Sequence, residues 1–376
     1  MSKLARALDV RDHRFGAGAP FTIGIEEEYM LLDPESVDLV PGAERILEAE
    51  RGGPFAECIA PELFDSLVEF HTGVCGTVAD AAAELRRLRR HAVLAARHQH
   101  LRLGSAGTHP FSLFERQRVM PRDRYRALID ALQYAGRREL IYGLHVHVAV
   151  ADPDRAIHVV NALRAHLCEL VALSANSPLW RGVPTGYASC RHMIFAAFPR
   201  SGPPPEFASF DEYATVIEQL VDSGSIEDYT RTWWDVRPHP RFGTVEVRVM
   251  DAVTRVDDAI ALAAFVQALV HHYAVGPAIR CHPVIAEENK WRAARYGLDA
   301  TVSDPGAGGP VRLRELIART LDAIAPSAAA LGCERELLDI ERIVRNGNGA
   351  SRQLETFAAT GDARAVARDI AARTAA

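Results

Sequence analysis

Glutamate and histidine recur at alternate positions of four short runs that are otherwise apolar. Successive residues of a strand point to opposite faces, so this spacing gathers the ionisable groups on one side of a sheet. In the run 21–32, Phe21, Ile23, Ile25, Tyr29 and Leu31 share one side, and Thr22, Gly24, Glu26 and Glu28 the other. In 65–72, Ser66, Val68 and Phe70 oppose Asp65, Leu67, Glu69 and His71. In 141–151, Leu144, Val146, Val148 and Val150 oppose Gly143, His145, His147 and Ala149. In 243–250, Val245, Val247 and Val249 oppose Thr244, Glu246 and Arg248. Glu27 is the exception among the consecutive glutamates. It falls on the apolar side, where an unpaired carboxylate is costly. It is expected to meet an arginine or a local bend, and no catalytic role is assigned to it.

Carboxylates and imidazoles are the oxygen and nitrogen ligands of divalent metals. A sheet with one face in water explains any one of these strands. It explains the set of four less well, because a solvated face favours Lys, Thr, Ser and Gln. Converging carboxylates also repel one another unless cations neutralise them. A zinc hydrolase centre takes three ligands, rich in histidine, around one ion. Here carboxylates dominate and Arg248 shares the face. Hard oxygen ligands suit magnesium, which usually arrives with phosphates. Arginine matches phosphate oxygens with a planar fork. The pattern therefore leans towards phosphoryl transfer. Neither G-x-x-x-x-G-K-[ST] nor G-x-G-x-x-G after a strand occurs, which excludes a P-loop enzyme.

The elements that must position these residues mix along the chain. Strands are predicted at 21–32, 65–72, 101–106, 141–151, 191–198 and 243–250. Helices are predicted at 78–99, 123–139, 154–173, 211–222 and 257–275. The stretch "SDPGAGGP" at 303–310 is a candidate boundary. Only helical patterns come after it, at 311–326, 333–345 and 362–374, the last with Asp362 as its N-cap. This is α+β, with one mainly antiparallel sheet and helices on one side. Residues 1–20 read as a lead-in. Residues 21–376 read as a single catalytic domain whose C-terminal part, from about 311, is helical.

The 376 residues carry a net charge of −6, with 48% hydrophobic and 24% charged residues, as in ordinary globular proteins. No basic block stands out beyond "ELRRLRRH", which argues against nucleic acid. The N-terminus lacks the apolar core of a signal peptide. The run "AIALAAFVQALVHHYAV" reads as too short to span a membrane. Six cysteines are scattered without a C-x-x-C pair, so a reduced, cytoplasmic compartment is expected.

Five motifs, in order, resemble the carboxylate–amine ligase family, also called the type 2 glutamate–cysteine ligase family, within the glutamine synthetase-like superfamily. They are "GIEEEYMLLDPES", "GLHVHVAVADPDRAI", "LSANSPLWRGVPTGYASCR", "WWDVRPHPRFGTVEVRVMDAVT" and "ENKWRAARYG". The resemblance runs from about Phe21 to Gln353. It implies a glutamine synthetase-like catalytic fold that binds ATP and two or three magnesium ions on the concave face of an antiparallel sheet. It implies phosphorylation of a carboxylate, typically the γ-carboxylate of glutamate, then displacement of phosphate by an amine, typically that of cysteine. The partners are thus small-molecule amino acids and amines, and a homodimer is the assembly the family suggests.

By the same resemblance, Glu26, Glu28, Glu69, His145 and Glu246 are metal ligands. Glu62 could take a nearby carboxylate position, provided a bulge or bend brings it to the face of Glu69. His147 contacts nucleotide or metal, and Arg248 contacts phosphate. Arg191 resembles a contact to substrate carboxylate or phosphate, the alternative being a surface arginine after a turn. Asn289, Lys290 and Arg295 resemble a cover over the nucleotide, the alternative being a solvated helix with Trp291 and Tyr296 packed inward. Arg352 comes after a glycine-rich turn, either at a phosphate or simply at a helix end. Asp251 ends its strand and could orient Arg248 or cap the next segment of chain. Met193, Ile194 and Phe195 stand where many relatives carry bulkier aromatics. If that stretch lines the acceptor pocket, the amine need not be cysteine. Two other readings stay open: a metal-dependent amide or phosphoester hydrolase, and a non-catalytic nucleotide-binding sensor.

Overall fold

The computed structural model describes residues 8–376. Its main sheet has seven strands: β1 (Ile23–Leu32), β2 (Ile59–Pro61), β3 (Leu67–His71), β4 (Arg102–Gly104), β5 (Gly143–Ala149), β6 (Val236–His239) and β7 (Thr244–Asp251). Their order is β6-β7-β5-β1-β3-β2, with β4 pairing along the end of β1, and every ladder is antiparallel. The period-two alternation of the sequence is what makes this sheet two-sided.

Helices α1 (Val78–His98), α2 (Pro153–Leu163) and α4 (Val256–Val275) cover the apolar side; α3 (Arg191–Phe195) and α5 (Pro283–Tyr296) lie between α2 and α4, and after α4, in the chain. Ile23, Ile25, Val146, Val148, Val245 and Val247 share one core with residues of α2 and α4. Tyr29, Leu31, Val68 and Phe70 share a second with Ala92 and Ala96 of α1 and Ile370 near the C-terminus. The helix starts obey local chemistry. Thr77 and Asp80 form a reciprocal capping box on α1, and Asp152 caps α2 with Pro153 in its first turn. Asp362 caps the last helix, as expected.

Several expectations need correction. Residues 191–198 are not a strand. They begin with the short helix α3, whose Ile194 and Phe195 join Ile141, Cys190 and Phe198 in a small apolar cluster. Burial there overrides β propensity. The helix at 123–139 is broken at Gln133, whose φ of 50° no α-helix accommodates. The stretch 303–310 is the turn of a hairpin, in which residues 304–309 link the paired strands Thr301–Ser303 and Pro310–Arg312. The helices beyond it, Leu313–Leu331 and Glu334–Asn346, pack back on α4. The apolar run judged too short for a membrane belongs to a helix of 20 residues, α4. By length and composition, α4 and the segment Pro153–Ser174 could each span a bilayer, but 72% and 89% of their apolar windows are buried within the fold. Core helices pass the same test.

Candidate active site

The polar side of the sheet is assembled row by row through strand register. His145 of β5 stands opposite Glu26 of β1, which stands opposite His71 of β3. One row away, Glu28 faces Glu69, which faces Ala60 of β2. On the other side, Arg237, Glu246, His147 and Gly24 form a continuous row across β6, β7, β5 and β1. Parity along each strand supplies the residues, and antiparallel pairing brings them side by side.

Three overlapping groups of potential metal ligands result: Glu26, His147 and Glu246; Glu26, Glu69 and His145; Glu28, Glu62 and Glu69. Within each group the candidate ligand atoms lie within 4.8 Å of one another. Glu62 reaches the face by a route other than a bulge. The chain reverses between β2 and β3, and Glu62 directly succeeds the shorter of these paired strands.

The two ends of this face differ in charge compensation. At one end burial raises Glu26 and Glu246, but their neighbours overcome it. His147 and His145 hold Glu26 well below the usual carboxylate range. Arg237 and Arg248 do the same for Glu246. Arg237 Nε lies 2.7 Å from Glu246 Oε2, and Arg248 binds the other oxygen. His145 Nδ1 is 3.1 Å from Glu26 Oε2. His147 Nε2 is also 3.1 Å from Glu26, close enough for an ion pair but out of line for a hydrogen bond. At the other end the nearby arginines, Arg191, Arg248 and Arg124, favour the ionised carboxylates but do not outweigh burial and mutual repulsion. Burial and the charge of Glu62 push Glu28 up to about 8. Burial, with Glu26, Glu62 and Glu28, pushes Glu69 well above its usual range, and burial raises Glu62. This donor set, oxygen-rich and short of positive charge, fits hard divalent cations.

Arg191 comes to the same face from the N-terminus of α3. Its Nη1 and Nη2 donate to the main-chain oxygens of Val249 and Arg248, at 3.3 and 3.2 Å. Among the described residues, Arg191 Nε and Arg248 Nε are buried with no hydrogen-bond partner. Gly143 makes the approach of Arg191 feasible. A Cβ there would stand 2.7 Å from Arg191 Nη2 and 2.9 Å from His145 Nε2. The Gly143 N–H donates to Glu28 Oε2 at 2.5 Å. Arg191 is therefore buried, not a surface residue after a turn.

Asp251 does not orient Arg248 directly. It accepts from Asn176 N, Ser177 Oγ and Ser189 Oγ at 2.7 to 2.9 Å. Ser177 Oγ in turn accepts from Arg191 N, so Asp251 fixes the loops that aim Arg191.

The remaining candidates are engaged elsewhere. Asn289 exchanges hydrogen bonds with the main chain of Ser303. Lys290 is buried and pairs with Asp235 at 2.6 Å. Arg295 donates to Gly186 O and lies over the rings of Tyr187 and Tyr296. Arg352 is exposed and pairs with Asp369. The alternative reading of α5, a solvated helix with Trp291 and Tyr296 packed inward, does not hold: Trp291 and Tyr296 are exposed, while Asn289 and Lys290 are buried.

Sequence reasoning passed over Arg237 and His239. Their signal is the alternation in "VRPH", where Val236 and Pro238 oppose them. Pro238 masks it, because proline within a run argues against a central strand. It is tolerated here because β6 is at the sheet edge.

The model of the glutamate–cysteine ligase family 2 matches residues 22–369. A Rubrobacter xylanophilus protein provisionally named glutamate–cysteine ligase 2-1 is 42% identical over 345 residues, which is 91% of this chain and 92% of that one. A Herpetosiphon aurantiacus protein provisionally named glutamate–cysteine ligase 2 is 41% identical over 92% of this chain and 91% of its own. Among solved structures, a Francisella tularensis glutamate–cysteine ligase in complex with AMP superimposes with a TM-score of 0.70 at 16% identity, covering 96% of this chain and 89% of that one. A bifunctional glutathione synthetase from Pasteurella multocida also gives 0.70, at 15% identity, covering 95% of this chain and 52% of its own. At such identities these two structures speak for the fold alone.

Proposed function

The chain belongs to glutamate–cysteine ligase family 2, a family of carboxylate–amine ligases, and on that premise we propose that it couples ATP cleavage to amide formation through an acyl phosphate. The acid is L-glutamate, reacting at its γ-carboxylate, and the acceptor is L-cysteine or another amine. A carboxylate oxygen takes the terminal phosphoryl group of ATP and ADP is released. The amine nitrogen then attacks the acyl carbon, the C–O bond to phosphate breaks, and the nitrogen loses a proton.

One observation carries this reading: five glutamates and two histidines converge, in three overlapping groups, beside two arginines with unsatisfied N–H groups. Glu26, Glu28, Glu62, Glu69, Glu246, His145 and His147 would hold two or three magnesium ions. When bound, magnesium would neutralise phosphate oxygens and the crowded carboxylates together. Arg248 stands among these groups and supplies fixed positive charge for a transferring phosphoryl group. Arg191, anchored to β7, supplies the same for the acyl phosphate or the substrate carboxylate. Arg237 keeps Glu246 ionised and oriented.

The test is ADP release with magnesium and ATP, across glutamate combined with cysteine and a panel of other amines, with mass spectrometry of the product. ADP release that requires both acid and amine, with a γ-glutamyl amide formed, is expected. No ADP from any pair would overturn the proposal.

A further inference from the structure

We propose that Lys290 is a positioning residue for the ligation: through Asp235 it holds the bulge of β7 that aims Arg248 and anchors Arg191. This rests on the ligase reading above, and it gives a task to a buried charged pair that the metal and phosphate chemistry leaves unused.

β7 carries one residue too many opposite β5. Val247 pairs with Val146 and Met250 with Leu144, so Arg248 and Val249 together stand against His145 alone. Such a bulge interrupts the ladder and re-aims a side chain. Here it turns three main-chain groups to other partners. Arg248 N donates to Asp235 O at 2.8 Å. Arg248 O and Val249 O accept from Arg191 at 3.2 and 3.3 Å. The two arginines that supply positive charge to the reaction thus meet on one irregular stretch of chain, and Asp235 is its other support.

Asp235 is itself fixed. It lies between the short strand Trp233–Trp234 and β6, and its N–H donates to Gly202 O at 2.9 Å. Its side chain is 1% exposed, and Lys290 Nζ lies 2.6 Å from Oδ2. Among the described residues no other cation pairs with this carboxylate. Without Lys290 a buried charge would be left unpaired, and the segment would shift to reach a partner or water.

α5 is placed to brace both arginines. Asn289, next to Lys290, is locked to the main chain of Ser303 by two hydrogen bonds. Four residues beyond Lys290, Ala294 O accepts from Ser189 N at 2.9 Å. Ser189 belongs to the Asp251 network that aims Arg191. One helix therefore supports Arg248 through a side chain and Arg191 through its main chain. The ammonium of Lys290 is taken up by Asp235, so it acts through the bulge and not on substrate.

The experiment compares Lys290→Met with the double variant Lys290→Met/Asp235→Asn, in which no buried charge is left unpaired and folding is spared. ADP release is measured with magnesium, ATP, glutamate and the amine that wild type accepts. Amide exchange of the peptide carrying Arg248 is measured by mass spectrometry on metal-free protein. In the double variant kcat is expected to fall about ten-fold or more, with KM for ATP within about three-fold of wild type. The peptide carrying Arg248 is expected to exchange faster than in wild type. Wild-type kcat in the double variant would show that the pair serves stability alone. A raised KM for ATP at unchanged kcat would make Lys290 a nucleotide contact. Unchanged exchange would show that the bulge does not depend on the pair. Each of these three results overturns the positioning role and leaves the ligase reading standing. If wild type releases no ADP with any acid and amine, the ligase reading fails and the positioning role falls with it.

Discussion

Glu28 and Glu69 stand directly opposite each other in the ladder between β1 and β3. Like charges so placed destabilise a sheet. Glu62 joins them, and no arginine or histidine bonds to any of the three among the described residues. The strain is electrostatic and is relieved by protons or by cations.

Metal-free protein should therefore lose stability as pH rises. Glu28 has a folded pKa raised from 4.5 to about 8. A raised carboxyl pKa contributes stability that is complete below 4.5 and lost as pH climbs through about 8. Glu62 and Glu69 shift in the same direction. Melting temperature in a chelator should fall across this window, and added magnesium should restore it at the alkaline end. Identical profiles with and without magnesium would count against a metal site here.

Glutamine substitutions should separate the two ends of the face. Glu28→Gln should abolish ligation while raising the melting temperature of metal-free protein at pH near 8, because it removes an uncompensated charge. Glu246→Gln should also abolish ligation, yet destabilise by about 1–3 kcal/mol, since Arg237 and Arg248 lose a buried charged partner. Thermal melts and ADP release on the two purified variants decide this. Wild-type activity in Glu28→Gln would falsify the placement of the metal face.

Glu27 has a structural role that can be measured alone. Arg89 of α1 binds both of its oxygens, Tyr29 donates to it, and Arg89 also donates to the main chain of Val253 and Thr254. Arg89→Ala leaves a buried carboxylate unpaired and should cost about 3–5 kcal/mol in urea unfolding. Magnesium affinity of the folded fraction should not change.

Gly143→Ala should leave the protein folded but displace Arg191 or His145, which its Cβ would meet at 2.7 and 2.9 Å. A loss of about 100-fold in kcat/KM is expected from such a misplacement. Activity within a few-fold of wild type, on the order of 1 kcal/mol or less, would show that neither side chain needs its present position.

The sequence by itself determined which residues could share a face. Parity along a strand is local, so Glu26, Glu28, Glu69, His145, His147, Glu246 and Arg248 could be sorted without any structure, and Glu27 could be singled out as needing an arginine. It could not name Arg89, which lies 62 residues away. Nor could it show that Glu62 arrives by a chain reversal, that Arg237 sits on an edge strand despite Pro238, or that 191–195 is a helix. Spacing in "ENKWRAARYG" and "NGNGASRQ" was compatible with nucleotide contacts, and packing turned Asn289, Lys290, Arg295 and Arg352 to other partners. Register, edges and helix orientation depend on contacts between segments far apart in the chain. Only the folded molecule decides which of several chemically equivalent partners is close enough to bond.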